Sequence, residues 1–233
     1  MTHAAGAAWW LVALLVLAGC GLGGLLAARL AHGGYRREDE RHRPLPGRRW
    51  WMVPGLALVW GSLAWRFGDA RHFGVLAAYL CLGVLGVVLA AIDADVHRLP
   101  DSLVLPSYPA AIALLAVASW ATGSWGALLR AVLAGAVLWV AYLLLALVSP
   151  GGLGFGDVKL AGVLGLFVGW LGWGEVVAAT FAAFLLGALV ALVLLLTGRV
   201  SRSSHIAFGP AMLAGAWLAL LVPVQVVTGT MTG

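Results

Sequence analysis

The stretch Gly152-Leu153-Gly154-Phe155-Gly156-Asp157-Val158-Lys159 places one carboxylate where a glycine-rich turn meets a long apolar segment. The chain has 233 residues, of which 63% are hydrophobic and only 10% are charged. Most of the charged residues lie at the boundaries of apolar runs. In ordinary soluble domains roughly a quarter of the residues are charged. The composition therefore predicts an all-α, polytopic transmembrane bundle and excludes an ordinary soluble domain.

The apolar runs predict eight membrane-spanning helices, since a helix needs about 20 apolar residues to cross a bilayer. The predicted helices cover residues 8–31, 51–66, 74–92, 103–121, 128–149, 158–173, 176–198 and 206–228. We expect a single transmembrane domain over residues 1–233. Its N-terminal spans and a short basic loop (32–49) fall in residues 1–73, and its functional core falls in residues 74–228.

The basic residues indicate the orientation of the helices. Fourteen Lys and Arg against nine Asp and Glu give a formal net charge of +5, and most of the cations lie in short loops. This pattern is typical of loops held on the cytoplasmic side, so it does not imply nucleic-acid binding. The arginine-rich loop 32–49 is predicted to be cytoplasmic and in contact with lipid headgroups, and both termini are predicted to lie outside.

Four aspartates stand out because they lie next to apolar runs. Asp93 follows the run Leu85 to Ile92, and Asp157 precedes the run that begins at Val158. Two intervening spans return the chain to the same predicted face, and ionisable groups at this depth are candidates for function. The alternative for Asp157, and still more for Asp101, is a helix cap. Asp95 is expected in a loop.

The glycines give the turn a second property. Gly154 and Gly156 remove Cβ atoms where the backbone turns or where an extended peptide could approach closely. A glycine-rich turn before a helix could also cradle phosphate, but Asp157 occupies the place that an anion would take. The two cysteines, Cys20 and Cys81, lie inside apolar segments without a CxxC partner and predict neither a disulfide nor a metal site.

Two motifs together resemble the signatures of type IV prepilin peptidases, which are integral-membrane aspartic proteases of the GxGD type. The motifs are Ile92-Asp93-Ala94-Asp95-Val96-His97-Arg98-Leu99-Pro100-Asp101 and Gly154-Phe155-Gly156-Asp157-Val158-Lys159-Leu160. The stretch His205-Ile206-Ala207-Phe208-Gly209-Pro210 is similar to a closing motif at the start of the last helix in that family. The resemblance covers residues from about 75 to about 220.

The resemblance implies that Asp93 and Asp157 are a catalytic pair and that Gly154 and Gly156 shape the site. It implies a prepilin or pseudopilin substrate, cleaved at the cytoplasmic face of a bacterial membrane between a positive leader and a hydrophobic helix. Lys159 either contributes to the site or marks the membrane interface. Acidic residues that could contact the leader are Glu38, Asp39, Glu40, Asp95 and Asp101.

The loop 32–49 departs from the family's larger members because it lacks paired CxxC motifs. The resemblance therefore implies a peptidase without structural zinc or other cofactor, and it makes N-methyltransferase activity doubtful. Whether the chain forms a homodimer stays open. Two rival hypotheses are a proton- or cation-coupled transporter, which predicts acids near the bilayer midplane, and an assembly subunit whose aspartates only cap helices.

Overall fold

The computed structural model describes residues 9–42, 44, 49–68, 73–148, 153–198 and 207–222. These residues form eight α-helices and one short 3-10 helix (Glu38–Glu40), and they contain no β-strand. The α-helices are α1 (Trp9–Leu30), α2 (Met52–Phe67), α3 (Phe73–Val96), α4 (Asp101–Thr122), α5 (Trp125–Val148), α6 (Phe155–Leu171), α7 (Trp173–Leu196) and α8 (Gly209–Leu221). The all-α prediction is confirmed, and each predicted segment overlaps largely with one helix.

Five of the described helices, α1, α3, α4, α5 and α7, are long and apolar enough to cross a membrane. The other three are shorter, with 16 residues in α2, 17 in α6 and 13 in α8. Many large apolar side chains of α5 and α7 are exposed, as expected for helices that face lipid. The chain is therefore a multi-pass helical membrane protein.

The chain divides into two compact units. The first contains Met1–Val96 and Leu114–Ser124. In it α1 packs on α2, and α2 packs on α3. The α1–α2 contact is close because a Cβ on Gly23 would lie 2.5 Å from the Met52 carbonyl oxygen. Small residues of this kind let the backbones of membrane helices approach.

The second unit contains His97–Ala113 and Trp125–Gly233. Its centre is α6, which packs against α5, α7 and α8 and is buried from Leu160 to Trp170. A Cβ on Gly165 would lie 2.8 Å from the Gly135 Cα, so α5 and α6 touch backbone to backbone. The division of function between residues 1–73 and 74–228 stays a prediction.

Arg130 of α5 holds the C-terminal end of α6. Its Nε donates to the Gly169 carbonyl at 2.8 Å, and its Nη2 donates to the carbonyls of Trp170 at 2.5 Å and Leu171 at 3.1 Å. Carbonyls in the last turn of a helix have no partner within the helix, and a cation there also suits the helix dipole. Arg130 therefore fixes α6 relative to α5.

Two predicted positions near helix ends were wrong. Helix α3 continues past Asp93 to Val96, so Asp95 lies in its last turn and not in a loop. The helix stops where His97 takes the left-handed conformation, with φ 52°. Helix α6 begins at Phe155, so Asp157 is its third residue and does not precede the helix. The predictions ended each helix at the first charge, whereas these carboxylates find partners within the fold.

The closing motif behaves as predicted from Phe208 onward: Phe208 is the N-cap of α8, and a proline follows in the first turn. Some residues used in the predictions lie outside the described ranges, namely Arg43, Arg48, Asp69, Arg71, Gly151, Gly152, Arg199, Arg202, His205 and Ile206.

Candidate functional site

Asp157 lies in the first turn of α6 and is buried, with 9% of its surface exposed. Its Oδ2 accepts the backbone N–H of Gly154 at 3.1 Å. Gly154 is the N-cap in an extended conformation, with φ −76° and ψ 147°, which other residues also adopt. The capping interpretation therefore changes form: Asp157 caps α6 from the third helical position, as the acidic partner of a capping box does.

The two glycines of the motif provide space for different neighbours. A Cβ on Gly154 would lie 3.3 Å from Oδ2 of Asp157, so glycine leaves that carboxylate room. A Cβ on Gly156 would lie 3.1 Å from the Leu99 Cβ, in the connection that precedes α4. The first glycine therefore borders the candidate catalytic group, and the second lets the start of α6 pack against Leu99.

Lys159 and Asp101 lie together. The Lys159 Nζ is 2.7 Å from the Asp101 Oδ1 and 4.8 Å from the centre of the Phe155 ring. The Asp101 side chain is 59% exposed and that of Lys159 16%. Such an exposed pair adds less than about 1 kcal/mol to stability. Lys159 therefore joins the starts of α4 and α6, and its proposed part in catalysis stays a prediction.

Tyr108 adds a second link between the same two helices. Its hydroxyl donates to the Lys159 carbonyl oxygen at 2.6 Å. The ring fits because Gly162 has no side chain: a Cβ there would overlap the hydroxyl. Sequence reasoning missed this contact, whose only signal is a tyrosine in an apolar helix opposite a glycine.

Asp93 lies in the last turn of α3 and is almost fully buried, with 4% of its surface exposed. It belongs to the first compact unit, and Asp157 belongs to the second. Their pairing stays a prediction.

Asp95 is the centre of a buried polar cluster that the sequence analysis did not predict. Arg36 donates from Nε to Oδ2 at 2.9 Å and from Nη2 to Oδ1 at 2.7 Å. The Tyr35 hydroxyl also donates to Oδ2. Arg49 donates from Nη2 to the Tyr35 hydroxyl at 2.5 Å, and the same nitrogen lies 3.3 Å from Oδ2 of Asp95. We name Tyr35, Arg36, Arg49 and Asp95 the loop cluster.

Two members of the loop cluster, Arg36 and Tyr35, keep their protons at neutral pH. The hydrogen bond that Arg36 donates to Asp95 raises the pKa of Arg36 further above its usual range, so this guanidinium stays charged. Burial, and then the hydrogen bond to Asp95, raise the pKa of Tyr35 above 10.0, so its hydroxyl remains a donor. Among the acids predicted to contact a leader, Asp95 is thus already engaged. Glu40 is also buried and accepts the Arg37 N–H at 2.8 Å.

The helices and the site define a multi-pass membrane protein with single carboxylates buried in the terminal turns of two helices. Residues 80–192, which include Asp93 and Asp157, match the model of the Type IV leader peptidase family. In this segment the chain resembles that family.

Three relatives illustrate the similarity, and each is named a prepilin leader peptidase/N-methyltransferase. Identity is 33% over 168 residues with that of Stutzerimonas stutzeri, covering 70% of this chain and 55% of the relative. It is 33% over 177 residues with that of Pseudomonas aeruginosa, covering 75% and 59%. It is 38% over 168 residues with that of Burkholderia pseudomallei, covering 68% and 49%. The chain thus spans about half the length of these relatives, and no solved structure matches it.

Proposed function

We propose that this chain is a membrane-embedded aspartic endopeptidase that removes the positively charged leader from type IV prepilins or prepilin-like pseudopilins. Asp93 and Asp157 are its catalytic pair. The observation that carries the proposal is the burial of both carboxylates in terminal helix turns, inside the segment that matches the family. The names of the relatives supply the substrate class.

The position of the carboxylates favours a peptidase over a transporter. A proton or cation relay needs ionisable groups near the bilayer midplane. Asp93 instead lies in the last turn of a 24-residue helix, and Asp157 is the third residue of α6. A site near the membrane surface suits a substrate whose cleavage point separates a soluble leader from a hydrophobic helix.

The proposed reaction is that of a carboxylate pair. Two carboxyl groups that lie close together do not both ionise readily, so one keeps its proton while the other stays charged. The charged group activates a water molecule, which attacks the carbonyl carbon of the scissile peptide bond. The protonated group stabilises the developing oxyanion and then protonates the leaving amine. Because the titration belongs to the pair, neither role is assigned to one aspartate.

We place the active site at the cytoplasmic face of a bacterial cytoplasmic membrane. The arginine-rich loop 32–49 and Lys159 fall on one predicted side of the membrane, and positive loops are held in the cytoplasm. We propose leader removal without N-methylation and without structural zinc, because loop 32–49 lacks paired CxxC motifs. Mass spectrometry of the cleaved pilin reads this point directly, since a methylated N-terminus would contradict it.

The decisive experiment is co-expression with a prepilin and measurement of leader removal by wild type, Asp93→Asn and Asp157→Asn. Asparagine at position 157 keeps an oxygen that can accept the Gly154 N–H, so the cap survives while the acid is lost. The chain offers a matched control in Glu175, which is also the third residue of a helix after a glycine N-cap and is also 9% exposed.

We expect no cleavage with either aspartate variant and normal cleavage with Glu175→Gln. Cleavage by Asp157→Asn at the wild-type rate would reduce this residue to a cap and reject the catalytic pair. Failure of the wild type to cleave any prepilin, combined with proton-dependent uptake in vesicles that both variants abolish, would favour the transporter.

A further inference from the structure

We propose that Asp95 is a positioning residue: through the loop cluster it fastens the basic loop to the last turn of α3 and so fixes Asp93. This inference rests on the proposed function, because it concerns the geometry of a proposed catalytic residue. All members of the loop cluster, and Asp93, lie in the first compact unit.

The contacts of Asp95 reach across the sequence. Tyr35 and Arg36 lie 60 and 59 residues before it, and they occupy its oxygens together with Arg49. The side chains are enclosed, with relative exposures of 1% for Arg36, 6% for Arg49 and 9% for Asp95. The two Arg36 nitrogens bind the two carboxylate oxygens as a fork, a geometry that fixes orientation as well as distance.

The location of the cluster explains what it positions. Asp93 and Asp95 share the last turn of α3, and helix ends fray unless something holds them. Residues two apart on a helix point about 200° away from each other. Asp95 can therefore be held from the loop side while Asp93 points elsewhere. His97 ends the helix two residues later, so no further turn of α3 supports this end.

The charge of the cluster argues against a role in stability alone. Two arginines face one aspartate, and the Arg49 Nη1 is buried without a hydrogen-bond partner among the described residues. Burying ions costs free energy that their attraction often fails to repay, so a buried ion cluster is weak evidence for stability. What the arrangement does provide is a fixed position for the end of α3.

The experiment compares two neighbouring arginines. The Arg36 side chain is 1% exposed and paired with Asp95, whereas Arg37 is exposed. Purified Arg36→Gln, Arg36→Lys, Asp95→Asn and Arg37→Gln are assayed with a prepilin in detergent. For each, kcat and KM are measured per folded enzyme, with folding followed by circular dichroism and thermal melting.

We expect Arg36→Gln and Asp95→Asn to lose about tenfold or more in kcat, because small misplacements of a catalytic group are costly. KM should stay within about twofold, since substrate contacts are kept. Arg36→Lys keeps the charge but not the fork and should recover part of kcat. Arg37→Gln should match the wild type although it removes the same charge.

The inference is overturned if kcat per folded Arg36→Gln or Asp95→Asn enzyme equals that of Arg37→Gln, whatever the melting temperature. It is also overturned if KM rises while kcat holds, because Asp95 would then act on substrate binding. These outcomes leave the proposed function intact, as long as wild type cleaves prepilin and Asp93→Asn does not. A wild type without cleavage would instead refute the proposed function.

Discussion

Replacing Gly162 with alanine tests how closely α4 and α6 must approach at the base of the candidate site. The new Cβ would overlap the Tyr108 hydroxyl, and it would lie 3.1 Å from Cζ and 3.2 Å from Cε1 of that ring. Tyr108 cannot keep both its place and its 2.6 Å hydrogen bond to the Lys159 carbonyl. The substitution therefore strains the packing and breaks the link between these helices.

The size of the effect follows from these two terms. Overpacking costs about 1–3 kcal/mol, and a lost hydrogen bond costs about 1 kcal/mol more. We expect Gly162→Ala to destabilise the protein by about 3 kcal/mol and Tyr108→Phe by about 1 kcal/mol. With phenylalanine at 108 the overlap disappears, and the two remaining contacts need shifts of only a few tenths of an ångström. Alanine at 162 should then add about 1 kcal/mol.

The double variant should thus be about 2 kcal/mol less stable than wild type, against about 4 kcal/mol if the two changes were independent. Unfolding free energies of the four proteins are measured in mixed micelles by titration with denaturing detergent. Prepilin cleavage is measured in parallel and should follow the same order. Additive effects, with no coupling between positions 108 and 162, would refute the reasoning.

Three further substitutions test other parts of the site. Gly156→Ala places a Cβ 3.1 Å from the Leu99 Cβ, so cleavage should fall while the circular dichroism spectrum stays unchanged. Full activity would mean that the segment around Leu99 shifts without cost to the site. Asp101→Asn removes the partner of Lys159 from an exposed pair and should change the unfolding free energy by less than about 1 kcal/mol; a larger loss would show a buried role. Tyr35→Phe should destabilise the protein at pH 8, but the difference from wild type should shrink as pH rises above 10.0. The raised pKa means that the folded state holds the phenol proton more tightly than the unfolded chain, so this stabilisation is complete below the unfolded pKa and lost through the folded one. A difference that is constant from pH 8 to pH 11 would contradict this assignment.

The number and type of helices could be predicted from the sequence because lipid imposes long apolar runs. The positions of Asp93 and Asp157 near helix ends followed from the same boundaries. The exact helix boundaries could not be predicted in the same way. A single carboxylate such as Asp95 does not end a helix when arginines from another part of the chain bind it. Those arginines lie in the basic loop, with Arg36 59 residues before Asp95, and no local pattern joins them to α3.

The glycines show a second limit. Their abundance near Asp157 suggested conformational freedom, yet Gly154 has an ordinary extended backbone. The structure shows instead that a neighbouring group occupies the space that a side chain would take at Gly154, Gly156 and Gly162. Such neighbours, Leu99 and Tyr108 among them, are set by packing between helices, which composition and spacing do not encode.

The lengths and contacts of α5 and α6 set the level of Asp157 along α5. With 17 residues α6 is about 25 Å long, whereas α5 with 24 residues is about 36 Å long. Arg130 joins the end of α6 to the beginning of α5. Farther along, Tyr142 and Ala161 line one cavity. Beyond Tyr142, α5 continues to Val148, about 9 Å farther.

Asp157 therefore lies level with the last turns of α5. The carbonyl of a peptide bond inside a folded helix is already hydrogen-bonded within that helix. Under the proposed function, a helical substrate would have to unwind locally before such a carbonyl could reach Asp157. Ease of unwinding at the cleavage junction would then influence which substrates are cut.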